Sequence, residues 1–477
     1  MAKKISAALG IDIGSQKIKV AEVKLSGKEP VITGLAIVDT PEGMVDHTGV
    51  YDVDTIAESI KGAMHSIGSS ASHLIFSIAG QQSVLVRTTE VGRMTPAELK
   101  DHMQWEITKN IPFAESTVQS DYKAFPADDP AATMMDVVMA IAPQSAVDTL
   151  IGIAKKVGKP IGAIDVEPLA VARTLVQGHM NDYANQVVCV VEVGHKTMSI
   201  NMYRNGKLLM PRLVPIGGEM FTKAISENLA LPLEEAEAIK LSKGSIPQSA
   251  MTGGYVAQTQ SFQAFSPFND PAAFNPNLAI PGMDAGGPPG SVAQPYNPFE
   301  AEAPPASSDV SNFVPFNAGG APADEPNPYA MPAADEAPVD PNAGFMPAEE
   351  PPAFVPMPEP APAAPPAASM PSEDAETMRV YNAIAQIVEE FVAEVRRSVD
   401  YFQSKGSDVN RILLCGGGGT LQGLPQLLEK SLGVPCELFD PLAGISMNAR
   451  KSDPTLADTH RQHLTIAIGN ALSIAFD

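Results

Sequence analysis

The sequence predicts an α/β fold of two related lobes, with a smaller α/β subdomain set into the first lobe and a long acidic, Pro-rich segment set into the second. Three observations lead there. A unit of three strands and a helix occurs twice, the stretch between the copies has its own strand and helix pattern, and the composition changes abruptly after Lys243.

The first copy opens with the run Ala7-Ala8-Leu9-Gly10-Ile11-Asp12-Ile13 and turns at Gly14-Ser15. A second strand spans 17–25, a Ser26-Gly27 turn follows, and a third strand spans 31–38. A helix fits 53–67, with Ile56, Ile60, Ala63, Met64 and Ile67 at helical spacing. The second copy repeats this order: a strand over 187–193 ending at Gly194, a strand over 197–203, the Asn205-Gly206 turn, a strand over 208–214 and a helix from Gly218. The acid before the first turn lies 15 residues from the second-turn glycine in one copy (Asp12 to Gly27) and 14 in the other (Glu192 to Gly206), which marks a domain-scale duplication.

Between the copies, a strand over 83–91 leads into Thr95-Pro96-Ala97-Glu98. Thr95 and Glu98 are spaced as a capping box and Pro96 suits the first helical turn. That helix is expected to reach about Asn110, with Leu99, Met103 and Ile107 as its packed face around Trp105. Strands over 118–125 and 133–141 and a helix near 146–157 complete the module. After the Pro-rich segment, 373–404 reads as a long helix with Ile384, Val388, Phe391, Val395, Val399 and Phe402 on one stripe. A buried strand, 411–415, runs straight into Gly416-Gly417-Gly418-Gly419; a helix, a strand over 435–439 and an apolar final helix near 464–475 close the chain. The expected divisions are 5–82 and 166–244 for the two lobes, 83–165 for the inserted subdomain, 245–371 for the Pro-rich insertion and 372–477 for completion of the second lobe.

The insertion, 127 residues long, holds 28 of the 44 prolines and 13 Asp or Glu, with no Lys or Arg. It lacks hydrophobic periodicity, and its prolines remove backbone donors throughout, so it is expected to be disordered. Its Phe residues recur in Pro-flanked clusters such as Ser266-Pro267-Phe268-Asn269 and Val314-Pro315-Phe316-Asn317. Closing so long a loop, instead of one of ten residues or so, costs only about 2 kcal/mol more.

A formal charge of -23 and a pI near 4.7 exclude a general nucleic-acid surface, which needs clustered Lys and Arg. No apolar run approaches the roughly 18 residues that span a bilayer, and the first residues lack a signal-peptide core, so a cytoplasmic location without direct membrane insertion is expected. Cys189, Cys415 and Cys436 lie in or beside apolar runs without paired spacing and read as reduced core residues.

Three glycine-bearing turns follow strands: Asp12-Ile13-Gly14-Ser15, Glu192-Val193-Gly194-His195 and the 416–419 run. Glycine lets backbone N–H groups approach phosphates, and a carboxylate just before each hairpin turn suits a hydrated Mg²⁺ ion. In this order the motifs resemble the actin-like ATPase superfamily. The resemblance implies the actin-like ATPase fold and ATP with Mg²⁺ between the lobes. Asp12, Gly14, Ser15, Gln16 and Lys17 match the first phosphate loop. Glu192, Gly194, His195, Lys196 and Thr197 match the second, and Gly416, Gly417 and Gly418 the adenosine loop. Gly217 and Gly218 follow, and Glu237 and Lys240 occupy the place of the nucleoside-contacting helix pair; Asp12 and Glu192 are the implied metal anchors, through water.

Within that superfamily the chain is similar to the PilM family of type IV pilus assembly proteins. The similarity rests on Gly10-Ile11-Asp12-Ile13-Gly14-Ser15, the Trp105-Glu106 helix running into Asn110-Ile111-Pro112-Phe113, Ile164-Asp165-Val166-Glu167-Pro168-Leu169-Ala170, Pro215-Ile216-Gly217-Gly218-Glu219 and Asp440-Pro441-Leu442-Ala443-Gly444-Ile445. It implies an ATP-binding assembly platform that docks the cytosolic N-terminal segment of a PilN-like inner-membrane protein. That partner would recruit the chain to the inner face of the membrane. Pilus motor ATPases are further implied partners, self-association is compatible with the fold, and the 83–165 module is expected to form part of the docking groove. Two features depart from the family pattern. Glu192 stands where Asp is usual and His195 where a small residue is expected, so hydrolysis is expected to be weak, and no catalytic base is assigned. The insertion is also longer than the family's. The competing readings are a small-molecule kinase on the same fold, which would need an acceptor site and an acidic base, and an FtsA-like division filament protein.

Overall fold

The computed structural model describes residues 5–46, 48–80, 83–113, 117–125, 131–179, 181–252 and 375–476. In the first lobe β1 (Ala7–Ile13), β2 (Lys17–Ser26) and β3 (Glu29–Asp39) form an antiparallel meander. A short ladder of β4 (Val45–Asp46) and β5 (Gly49–Val50) precedes α1 (Val53–Ser66), whose side-chain cap is Asp52. The chain then returns through β6 (His73–Ile78), which lies parallel to β1 with Leu74 beside Leu9. β1 is thus flanked on both sides and buried on both faces, which suits its near-continuous apolar run.

The inserted module consists of β7 (Leu85–Gly92), α2 (Pro96–Lys109), β8 (Val118–Phe125), β9 (Met134–Pro143) and α3 (Gln144–Val157). Its sheet order is β7-β9-β8. The Thr95 and Glu98 capping box forms, and Leu99, Met103 and Ile107 are buried. Trp105 lies off that stripe and is 57% exposed, with Lys109 Nζ 4.9 Å from its ring centre, so the core face of α2 does not include it. The chain re-enters the first sheet through β10 (Ile161–Val166), parallel to β6, and continues into α4 (Glu167–His179).

The second lobe repeats the first. β11 (Val187–Val193), β12 (Met198–Arg204) and β13 (Lys207–Val214) form a second meander, followed by α5 (Gly218–Leu229) and α6 (Leu233–Lys243). The second lobe does not stop at Lys243, where the composition changes. Ser245 bridges Gln422, Ile246 is buried and donates its N–H to the Gln422 carbonyl, and α7 (Gln248–Thr252) follows. Residues 245–252, expected within the insertion, thus pack with the second lobe, and the rest of 245–371 lies outside the described residues. α8 (Ala375–Gln403) then packs on the sheet through Val388, Phe391, Val395 and Val399. Its buried Glu394 is held by Arg212 of β13 at 2.7 Å.

β14 (Arg411–Cys415) lies parallel to β11, as β6 lies beside β1, and α9 (Leu424–Leu432) and β15 (Cys436–Leu438) complete the lobe. β16 (Ser446–Met447) crosses back to pair with β3. After α10 (Pro454–Thr459), α11 (Thr465–Phe476) ends the described chain against the first sheet, buried from Thr465 to Ile474. Asn470 fixes it there by donating to the Ile11 carbonyl at 2.9 Å. A shared cluster, including Val86 and Val138 of the module with Val188, Tyr203 and Leu208 of the second lobe, ties the inserted module to the second lobe as well as the first. All three cysteines are buried and free, as their sequence settings suggested.

Candidate functional site

The two glycine hairpins open onto one cavity of about 500 Å³, within the range of ligand pockets. Each hairpin is fixed by local backbone bonding. Gly14 N–H donates to the Lys17 carbonyl at 3.1 Å, and Thr40, just after β3, clasps the turn, its hydroxyl on the Gly14 carbonyl at 2.7 Å and its N–H on that of Gln16 at 3.0 Å. In the second copy Gly194 N–H donates to the Thr197 carbonyl at 2.9 Å, and the start of α5 takes over the clasp: Gly218 and Glu219 donate to the carbonyls of Gly194 and His195. This packing leaves no space at Gly217, where an added Cβ would lie 2.4 Å from the His195 carbonyl oxygen. Gly417 and its neighbours arrive from β14, and Gly416 adopts φ +76° with the Val193 carbonyl 2.4 Å from any Cβ, so only glycine makes this turn.

Of the residues expected to contact a nucleotide, Asp12, Gly14, Ser15, Gln16, Lys17, Glu192, Gly194, His195, Lys196, Thr197, Gly218, Glu237, Lys240, Gly416, Gly417 and Gly418 all line this cavity. Gly217 does not; it backs the second turn from behind. Glu237 and Lys240 form an ion pair at 2.6 Å, and both meet Thr222, Lys240 at 2.8 Å. Burial works to raise the Glu237 pKa, but the hydrogen bonds from Lys240, Thr222 and Gln16 win and hold it below the ordinary value. The Gln16 bond, 3.4 Å long, comes from the first hairpin and so crosses between lobes.

Among the lining residues not evident from the sequence, Lys19, Glu167 and His463 carry titratable groups. Lys19 sits directly across the hairpin from Asp12, and its ammonium lies 2.9 Å from Asp12 Oδ2. Burial acts to lower the Lys19 pKa, yet attraction to Asp12, Glu192 and Glu167 outweighs it and keeps the group charged. Glu167, the first residue of α4, lines the cavity with its pKa pushed well up by burial and by the charges of Glu192 and Asp12. It adds a buried carboxyl to the cavity wall beside Asp12 and Glu192. Burial also pushes Glu192 up to about 7, with Asp12 adding to the effect and Lys19 opposing it. His463, from the turn before α11, lines the cavity too, and burial followed by Lys19, His460 and Lys17 lowers it to about 4. The hairpin register could have revealed Lys19, since a tight turn after Ile13 places it opposite Asp12. Glu167 and His463 reach the site through pairings that no local pattern contains.

The donor set fits a polyphosphate with a hydrated divalent ion. Glycine turns admit phosphate oxygens, four lysines (Lys17, Lys19, Lys196 and Lys240) border the cavity, and His195 Nδ1 is buried without a hydrogen-bond partner. Among the described residues no group of three or more His, Cys, Asp or Glu is arranged to hold a metal alone. An ion shared between one or two carboxylates, water and ligand phosphates is the arrangement Mg²⁺ favours. No helix among the described residues is long and apolar enough to cross a membrane.

A family model described as type IV pilus assembly protein PilM matches residues 10–253, slightly more than half of the chain, and a model for cell division protein FtsA matches residues 189–459. Among curated proteins, cell division protein FtsA of Neisseria meningitidis serogroup B is 35% identical over 81 residues, 17% of this chain and 19% of that protein. FtsA of Bacillus subtilis is 22% identical over 258 residues, 50% of this chain and 58% of that protein. The chain thus spans less than two thirds of the length of these relatives. A solved structure titled PilM-PilN type IV pilus biogenesis complex superimposes with a TM-score of 0.65 at 19% identity, covering 99% of both chains, which establishes the common fold.

Proposed function

The chain belongs to the PilM family of type IV pilus assembly proteins within the actin-like ATPase superfamily, and from that premise we propose that it is an ATP-binding platform that docks the cytosolic N-terminal segment of a PilN-like inner-membrane protein. The observation that carries the nucleotide half is the meeting of both hairpin turns, the 416–418 glycines and the Glu237–Lys240 pair at one cavity. Gly14, Ser15, Gly194 and Thr197 would admit the phosphates, with Lys17, Lys19 and Lys196 matching their charge. Glu237, Lys240 and the apolar Leu241 and Leu421 would frame the nucleoside. Asp12 and Glu192 would hold Mg²⁺ through water. The bound ion supplies charge neutralisation to the phosphates and organises water around them.

The docking half is supported by the family and by the inserted module, which the PilM model includes and the FtsA model, beginning at residue 189, does not. The exposed Trp105 on α2 lies on that module and gives a fluorescent probe, being the only tryptophan. An extended peptide joins such a module through main-chain hydrogen bonds and apolar pockets, and membrane recruitment follows from the partner. Calorimetry with ATP, with and without Mg²⁺, together with Trp105 fluorescence on titration of a PilN-like N-terminal peptide, tests both halves. Saturable binding of each ligand is expected. Absence of peptide binding in both nucleotide states, together with phosphoryl transfer to a small acceptor, would replace this reading with the kinase one.

A further inference from the structure

The first lobe contributes to the cleft from the end of the chain as well as the beginning. The turn Arg461–Leu464, just before α11, places His463 in the cavity wall with its ring packed on Gly417, whose Cβ, if present, would lie 2.9 Å from Cε1. Backbone bonds hold it there: Gly416 N–H donates to the Gln462 carbonyl at 3.0 Å, and His463 N–H to that of His460 at 3.1 Å. His195, on the second-lobe hairpin, borders the same cavity with Nδ1 buried and unpartnered. Each lobe therefore presents one imidazole to the cavity.

Resting on the nucleotide reading, we propose that His463 and His195 are ligand-binding residues that grip the anionic, phosphate-bearing part of the ligand from opposite lobes, so that binding is linked to proton uptake. His463 faces Lys17 and Lys19 of the first hairpin and His460 in its own turn. His195 faces Lys196 beside it, Glu219 from α5, and Glu237 and Lys240 from α6. Burial is the leading cause that holds both rings below the ordinary histidine value, so both are neutral in the free cleft near pH 7. A bound polyanion adds negative charge beside each ring and favours the imidazolium form, which also turns both ring nitrogens into donors. Every pKa unit gained on binding tightens the ligand about tenfold at a pH below both values. A nucleoside without phosphates offers no such field. The chemistry selected is that of a nucleoside di- or triphosphate.

The test is ATP affinity by calorimetry near pH 8 and near pH 6 for the intact protein, His463→Gln, His195→Gln and the double variant. Adenosine serves as the uncharged control. Glutamine keeps a hydrogen-bonding side chain but cannot take up a proton. The unmodified protein should gain at least about twofold more affinity on acidification than the double variant, ATP's own protonation being common to both. Each single variant should lose part of that gain, and adenosine should show none. Calorimetry of the unmodified protein and the double variant in two buffers of different ionisation enthalpy should register greater proton uptake with ATP in the unmodified protein, since Glu192, Glu167 and ATP itself are common to both. An equal pH gain, or equal proton uptake, in the double variant overturns the proposal. ATP binding absent at both pH values overturns the nucleotide reading itself, a result distinct from binding that is merely pH-independent.

Discussion

Thr88 of β7 donates its hydroxyl to the backbone carbonyl of Leu209 in β13, 2.9 Å away, joining the inserted module to the second lobe. Lys207 and Asp136 form an ion pair along the same seam. The module is anchored by covalent connections to the first lobe, so any change in the angle between lobes must move this seam. Peptide docking on the module and nucleotide binding in the cleft should therefore affect each other by the same factor in both directions. We expect ATP to change peptide affinity about fivefold or more, and the Thr88→Val, Asp136→Ala pair to reduce that factor towards one while each ligand still binds. Equal peptide affinity with and without ATP in the unmodified protein would show that the seam transmits nothing.

Asp12→Ala should weaken Mg²⁺-dependent ATP binding by at least about tenfold, because it removes one of the two proposed metal anchors and leaves the Lys19 ammonium without its closest carboxylate. Gly417→Val should act from the other side by forcing a branched side chain against the His463 ring. Melting temperatures measured beside the binding curves separate lost affinity from lost folding. Unchanged ATP affinity in both variants would refute the assignment of the cleft.

Glu192 gives a pH dependence whose sign can be worked out. Its carboxyl stands near 7 in the folded protein, mainly through burial, against about 4.3 for a free glutamate side chain. A folded value above the unfolded one means that the native state binds the proton more tightly. The associated stability is present below the unfolded value and is lost as pH rises through 7, by roughly 4 kcal/mol at most. Glu192→Gln removes that loss. Its melting temperature should exceed that of the unmodified protein at about pH 8 and approach it at about pH 5, while Mg²⁺-dependent ATP affinity falls. A variant less stable than the parent at alkaline pH would contradict this account of the cluster.

Turnover should be slow, below about 1 per second. Glu192 is one methylene longer than the usual Asp, and burial with the charges of Glu192 and Asp12 raises the pKa of Glu167, which makes it a poorer base for orienting water. Glu192→Asp should raise the rate, and Glu167→Gln should abolish what activity there is without reducing ATP affinity more than a few fold. Phosphate release assays on the four combinations decide it.

Much of the framework was legible locally. Hairpins announce themselves through alternating apolar runs and glycine turns, so both meanders appeared at nearly their true limits, and the Thr95 and Glu98 capping box formed as its spacing required. β6 and β10 did not appear. They are short apolar runs whose partners are parallel strands reached through long crossovers, and period alone does not separate such runs from loop or helix. The composition change at Lys243 also misled by a few residues. Ile246 is buried beneath Gln422, nearly two hundred positions downstream, and burial of one apolar side chain with its backbone bonds suffices to extend the lobe to Thr252.

The sequence by itself determined the duplicated unit, the glycine turns with Asp12 and Glu192 before them, and the family these motifs resemble, because each depends on residues within a few positions of one another. Tertiary structure alone decided that Lys19, Glu167, Glu192 and Asp12 share one desolvated space, and that His463 lines the same cavity as His195. Proton affinity depends on which charges and how much water surround a group. Those surroundings come from segments hundreds of residues apart, brought together only when two sheets and the last helix pack.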